Sequence, residues 1–302
     1  MNRKFQEYAF VAVFAFGSLA CSAMARATTI AEWDFRVDED LTIAGNGAST
    51  NATLQGGATI NTGAALPGSL TTNPKLLNGS LNALRAGGAP NDEGISTTAT
   101  WGQLFGTNNL TSGTFIGVFK PTLSAFQRYT LLSHAVQTDA AGQVWAVIEQ
   151  NSTNTQTDVR LRVGAAASDA AAIISSLSNS NWYFFAGSWS PGQNVTMYLR
   201  DITTGTLRTF TSGSTTVSMN PGVMTDSVYL GIRKNGFSPF ALSENANSLF
   251  AFAQMTNDYV STQTAFDALY TNLITPVPEP SSIILTVIGF TTLFTRCRRY
   301  GR

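Results

Sequence analysis

Between residues 28 and 276 the chain alternates short apolar runs with clusters of Gly, Asn, Thr, Ser and Pro. Asp158-Val159-Arg160-Leu161-Arg162-Val163 alternates polar and apolar residues, the pattern of a strand with one buried face and one wet face. Thr114-Phe115-Ile116-Gly117-Val118-Phe119 is apolar throughout, as a central strand is. Asn181-Trp182-Tyr183-Phe184-Phe185-Ala186-Gly187-Ser188-Trp189 is heavily aromatic. Val195 to Arg200 leads through Asp201-Ile202-Thr203-Thr204-Gly205 into Leu207 to Phe210, which predicts a hairpin. Further strands are predicted at Thr29 to Phe35, where Trp33 and Phe35 alternate, at Val228 to Ile232 and at Leu249 to Ala253. From residue 45 to 90 the signal is weak and fits short strands with long loops. A helix follows at the end: Ser261 is placed to cap it, and Phe266, Leu269, Tyr270 and Leu273 share one face. Such a helix is expected to pack against one end of the sandwich. The pattern defines an all-β, two-sheet antiparallel sandwich with a short C-terminal helix.

Composition agrees. Of 302 residues only 12% are charged and 43% are hydrophobic, so polarity rests on Thr, Ser, Asn and Gly, which suit strands and turns. The two cysteines, Cys21 and Cys297, both fall outside this region, leaving it without a disulfide or a cysteine zinc site. Net charge is zero, but the arginines crowd the two ends and leave a mildly acidic middle with no basic stripe. Nucleic acid is therefore not an expected partner.

Both ends carry processing signals. Arg3 and Lys4 precede an apolar run from Tyr8 to Ala20, and small residues around Ala23, Ala25 and Ala27 fit signal peptidase. Residues 1–27 thus form a signal helix, with cleavage after Ala25 or Ala27. Ser18-Leu19-Ala20-Cys21 is a degenerate lipobox, which keeps lipoprotein processing at Cys21 open. At the other end, Val277-Pro278-Glu279-Pro280 precedes an apolar stretch from Ile283 to Phe294 and the arginines Arg296, Arg298 and Arg299. A helix over residues 281–295 is about 22 Å long, short of the roughly 30 Å hydrocarbon core. It suits transient membrane anchoring, with the arginines held on the cytoplasmic side.

This three-part order resembles the PEP-CTERM sorting signal. The resemblance implies an exosortase that recognises the Pro278-Glu279-Pro280 element, cleaves near it and passes the protein to the cell surface or extracellular matrix. Residues 275–302 would be that sorting tail. Residues 28–274 in turn resemble the concanavalin A-like, laminin-G-like jelly-roll domains. Trp33-Asp34-Phe35, the aromatic strand ending Ala186-Gly187-Ser188-Trp189, the Asp201 to Gly205 turn, Val228-Tyr229-Leu230-Gly231 and Leu269-Tyr270 carry the likeness. Asp201-Ile202 stands where that family usually has Asp-Gly.

Catalytic signals are sparse. Laminarinase-like enzymes place carboxylates as Glu-x-Asp-x-x-Glu on one strand face. Glu32 and Asp34 have the right parity, but no third carboxylate follows, and Glu149 stands alone in its run. His134 is the single histidine, and no Gly-x-Ser-x-Gly elbow occurs. No catalytic residue is assigned and no cofactor is expected, calcium apart. Calcium needs only oxygen ligands. Asp38, Asp40 and Asp92 are its candidate ligands, a solvated loop being the plainer reading. Sugar-stacking needs an exposed ring beside polar groups. Trp101, Trp145 and the Arg233, Asn235 and Phe237 loop are the candidates, although most Trp and Phe in a sandwich are core and Asn235-Gly236 also reads as a tight turn. The sequence therefore reads as an exported surface or matrix protein whose sandwich binds polysaccharide or another envelope component. A purely structural coat protein and a diverged glycan hydrolase or lyase are the alternatives. Expected partners are signal peptidase, exosortase and polysaccharide.

Overall fold

The structure, a computed structural model, describes residues 29–34, 52–55, 59–62, 82–86, 94–106, 111–122, 127–133, 143–150, 157–164, 170–179, 181–217, 227–231 and 248–274. They form two antiparallel sheets and two short helices. The strands in chain order are β1 (Thr29–Asp34), β2 (Ala52–Gln55), β3 (Thr59–Thr62), β4 (Asn82–Ala86), β5 (Gly94–Thr100), β6 (Gly113–Lys120), β7 (Gln127–Ser133), β8 (Gln143–Gln150), β9 (Thr157–Gly164), β10 (Ala170–Leu177), β11 (Tyr183–Trp189), β12 (Asn194–Asp201), β13 (Leu207–Thr216), β14 (Ser227–Leu230) and β15 (Ser248–Thr256). Helix α1 (Trp101–Phe105) follows β5 directly, and α2 (Gln263–Ile274) closes the described chain.

The larger, eight-stranded sheet runs β13-β12-β11-β6-β15-β4-β3, with β1 also paired to β15. The smaller, seven-stranded sheet runs β10-β9-β8-β7-β14-β5-β2. The chain crosses between sheets after β1, β2, β4, β5, β6, β10, β13 and β14, the weave of an antiparallel jelly-roll sandwich. The expected fold class is thus observed.

Alternation decides which residues fill the space between the sheets. Leu161, Val159 and Val163 of β9 face Phe115, Phe185, Met197 and Phe250 of the larger sheet, together with the fully buried Trp33 and Trp189. Burying a large apolar side chain stabilises by roughly 1.5–3 kcal/mol. The aromatic strand β11 supplies this core on one face and a second core on the other. Gly187 of β11 lets the sheets approach, because a Cβ there would stand 2.6 Å from Leu161 Cδ2 and 2.9 Å from the Phe185 ring.

The second core lies on the outer face of the larger sheet. Ile116, Val118, Phe184, Ala186, Tyr198 and Ala251 are buried there beneath Phe266 and Tyr270 of α2. The helix therefore covers a sheet face, whereas the sequence reading placed it at one end of the sandwich. Its cap also differs. Thr262 Oγ1, one residue beyond Ser261, accepts from Ala265 N–H at 3.3 Å. The approach to α2 is strapped to the sheet: Thr196 Oγ1 donates to the Val260 carbonyl at 2.5 Å, Val260 N–H donates to Ser188 Oγ at 2.8 Å, and Tyr259 Oη donates to the Asn194 carbonyl at 2.8 Å.

The end of the sandwich is closed by α1 instead. Thr100 and Gln103 form a reciprocal capping box, Gln103 N–H to Thr100 Oγ1 at 3.2 Å and Thr100 N–H to Gln103 Oε1 at 2.8 Å. This starts a helical turn immediately after β5 and swings Trp101 inward.

Candidate functional site

The two outer faces of the sandwich differ sharply. The larger sheet is capped by α2 and packed on both sides. The outer face of the smaller sheet instead carries polar, charged and aromatic positions.

On β9 the inner residues Thr157, Val159, Leu161 and Val163 are buried, so Asp158, Arg160 and Arg162 lie on the outer face. Register extends this face across neighbouring strands. One row runs Tyr229 (β14), Ser133 (β7), Trp145 (β8), Arg162 (β9), Ala171 (β10). The next runs Thr130, Val147, Arg160, Ile173, and a third Arg128, Glu149, Asp158. Rows on adjacent strands are about 4.8 Å apart, so Tyr229 and Trp145 are placed about 10 Å apart with Ser133 between them; Ser133 and Thr130, the β7 members of the first two rows, are each buried at 1% exposure. Tyr229 is half-buried, and Ile173 is the one large hydrophobic that stands out to solvent among the described residues, at 46% exposure.

Charge on this face is arranged unevenly. Arg160 Nη2 lies 3.5 Å from Asp158 Oδ2; the carboxylate side chain is 13% exposed and the guanidinium side chain 33%. The acid is the less exposed partner, and the Nε of Arg160 is itself buried. Register also sets Glu149 beside Asp158 and opposite Arg128, which sequence spacing could not show. Glu149, alone in its own run, has a carboxylate neighbour on the adjacent strand.

The sequence candidates fare differently. Trp145 sits in the middle of the row just described. Trp101 does not belong to a site: it is fully buried, its ring stacked on Phe105 at 5.0 Å and near Trp189 at 5.9 Å. No face of it is open to a sugar, and that expectation is corrected. The capping box that turns it inward was the signal to look for. Arg233, Asn235 and Phe237 lie outside the described residues. So do Asp38, Asp40 and Asp92, His134, Cys21, the motif Val277, Pro278, Glu279 and Pro280, and the arginines Arg296, Arg298 and Arg299. Among the described residues no three His, Cys, Asp or Glu side chains converge as a metal site would need. No described helix is long and apolar enough to cross a membrane.

The buried carboxylate of Asp201, at the predicted hairpin turn, is structural. Its Oδ1 accepts from Thr204 N–H at 2.9 Å and its Oδ2 from Asn181 Nδ2 at 2.6 Å. Gly205, at φ 72°, completes the turn in a conformation glycine adopts without strain. Glu32, half-buried on β1, accepts from Gln254 Nε2 at 2.9 Å and stands apart from the smaller sheet. Two phenols ionise less readily than usual. Burial, then the hydrogen bond to Asp267 and the charge of that carboxylate, push Tyr198 well above its ordinary value near 10. Burial likewise raises Tyr259.

Comparison with solved structures finds the same sandwich class. The chain is similar to the binding domain of botulinum neurotoxin serotype D/C, with a TM-score of 0.52, 12% identity, and coverage of 82% of this chain and 52% of that one. It is equally similar to a structure of botulinum neurotoxin type C, whose uptake into cells depends on interaction with two ganglioside molecules, at TM-score 0.52, 13% identity, and 83% and 53% coverage. A third, the botulinum neurotoxin D/C binding domain in complex with rat synaptotagmin II, gives TM-score 0.52, 12% identity, and 82% and 52% coverage. The chain spans about half the length of these proteins. At this identity the likeness establishes the fold, a β-sandwich of the kind found in those binding domains. No protein-family model and no curated protein matches the chain.

Proposed function

We propose that this chain is an exported surface or matrix protein, processed by signal peptidase, sorted by an exosortase through its C-terminal tail, and equipped with a sandwich that binds polysaccharide without catalysis. The observation that carries the binding reading is the polar outer side of β9, where Asp158, Arg160 and Arg162 stay half-buried while the inner residues of the strand are buried. One face of the sandwich is sealed by α2, while the other presents Tyr229, Arg160 and Arg162 in rows with Trp145. Aromatic positions beside hydrogen-bonding groups on a broad sheet are what sugar recognition requires. Several of the structurally similar proteins are themselves binding domains, one of them described with gangliosides. The sorting reading rests on the order Pro278-Glu279-Pro280, apolar stretch, Arg296 to Arg299.

One observation favours a second reading. Glu149 and Asp158 are direct cross-strand neighbours, a placement that puts Cβ atoms about 4.5–5.5 Å apart. Retaining glycosidases hold their two carboxyl groups at roughly 5–5.5 Å. Arg128 and Arg160 beside them make a balanced charge cluster the simpler account.

A single experiment tests both. The purified full chain, in mild detergent, is incubated with the producing cells' own exopolysaccharide, with calcium and with chelator, and the soluble fraction is assayed for new reducing ends. Retention without sugar release is the expected result. Release of reducing ends would replace it with the hydrolase reading. Retention lost with chelator would add calcium to the site. No retention and no release would leave a structural coat protein.

A further inference from the structure

We infer that this chain pairs with a second copy of itself through the free edge of β10, joining two seven-stranded sheets into one antiparallel sheet. The inference stands apart from the polysaccharide reading. Strand β10 is the last of the smaller sheet, and its one ladder partner among the described residues is β9. Among those residues no backbone bond leaves its other side. Ile173, Ser175 and Ser176 of this strand are exposed. Ile173, at 46%, is the one large hydrophobic among the described residues that stands out to solvent. The edge therefore offers N–H and C=O groups beside an apolar side chain, a template for strand addition.

Edges that must stay single usually carry charge or proline. Residues 170–177 have neither. Strand β13, the end strand of the larger sheet, lies against β10 on the same flank and has no charged residue over 209–216. Arg160 and Arg162, the charged residues that pair with β10, sit one strand inward on β9. These stretches thus hold no charge to repel a like copy or to select an unlike one. The one interruption is a bulge: Ser176 has φ 70°, where pairing with β9 shifts register between Ile174 and Leu177. A bulge bends a strand and ends its pairing, so the usable ladder is residues 170–174. An antiparallel strand that meets its own copy is related to it by a two-fold axis, and the contact closes at two chains. With that axis at Ala172, residues 170–174 pair throughout and both bulges stay outside. The two Ile173 positions then fall diagonally opposite on one face, about 7–8 Å apart. This self-complementarity, with exposed Ile173 near its centre, fits a second copy better than a foreign chain.

The test is sedimentation of the full chain in mild detergent, under reducing conditions, from dilute to concentrated, with hydrogen exchange measured at both extremes. A dimer of two 32.2 kDa chains is expected to form as concentration rises, and the amides of β10 are expected to exchange more slowly in it. Ile173→Lys sets two like charges diagonally across the pair and is expected to weaken the dimer about tenfold. Should that variant fail to fold, as judged by its thermal midpoint, Ile173→Ser removes the apolar contact alone and is expected to weaken it about threefold. Thr264→Lys, at an exposed position of α2, is expected to leave the dimer unchanged. A monomer at every concentration would overturn the inference. So would a dimer that a folded Ile173 variant leaves intact, or slowed exchange confined to other strands, the results that association through the apolar runs at 8–20 and 283–294 would give.

Discussion

The phenol of Tyr198 on β12 donates to the carboxylate of Asp267 on α2 at 2.5 Å, and the ring of the same tyrosine stacks on Phe266 at 5.7 Å. Polar and apolar contacts thus join one helix to one strand through a single residue. Nearby, Arg200 lies 4.2 Å above the ring of Tyr270 and Phe184 meets that ring edge-on at 5.3 Å. Helix α2 is fixed by this aromatic layer more than by its own length, since twelve residues make a marginal helix alone.

Tyr198→Phe is expected to destabilise by about 1.5 kcal/mol, the lower end for a hydrogen bond to a charged acceptor, because the half-buried Asp267 regains some water. Phe266→Ala is expected to cost about 3–5 kcal/mol, because it empties a fully buried site. Urea unfolding followed by tryptophan fluorescence measures both. Equal losses from the two would mean that packing does not dominate the docking of α2.

Alkali should loosen the fold. Tyr198 and Tyr259 hold their protons more tightly folded than unfolded. Below the ordinary phenol value near 10 both states are protonated and neither group changes stability with pH. Above it the unfolded chain releases protons that the folded chain keeps, so stability falls as pH rises. Thermal midpoints between pH 8 and pH 11 should decline most above about pH 10, and Tyr198→Phe should flatten that decline. A variant with an unaltered slope would detach Tyr198 from the effect.

Gly187→Ala is expected to destabilise by about 1–3 kcal/mol through overpacking. Its new methyl would fall 2.6 Å from Leu161 Cδ2, across the space between the sheets. Pairing it with Leu161→Val, which trims the facing side chain, should recover part of the loss. Losses that simply add would show that the two sites do not touch. Chemical denaturation of the four-member cycle decides this.

Replacing Pro278, Glu279 and Pro280 by alanine is expected to block tail removal in a host that carries an exosortase. Mass spectrometry of the membrane fraction would then find a C-terminal peptide ending at Arg302, which the unaltered chain would lack. A variant trimmed like the unaltered chain would sink the sorting reading.

Strands β6, β9 and β11 were legible because their apolar runs are dense or cleanly alternating, and the β12–β13 hairpin because its turn ends in glycine. Strand β5 was not. Its buried side is Ile95, Thr97 and Ala99, and two of these three are small or polar, so alternation leaves little trace in hydropathy. Trp101 was misjudged because exposure depends on the direction of one helical turn, which the Thr100–Gln103 box sets. The candidate site was the least legible of all. Tyr229, Ser133, Trp145 and Arg162 come from four strands far apart in sequence, and only pairing register sets them in line. Composition along any one of those strands carries no trace of that line.

The position of α2 gives the molecule a front and a back. The helix ends at Ile274 on the sealed side, three residues before Val277. A body held by anything joined to its C-terminal end is therefore gripped from behind. The rows of Tyr229, Trp145 and Arg162 then face away from the point of attachment, as a hand is held palm outward from the wrist.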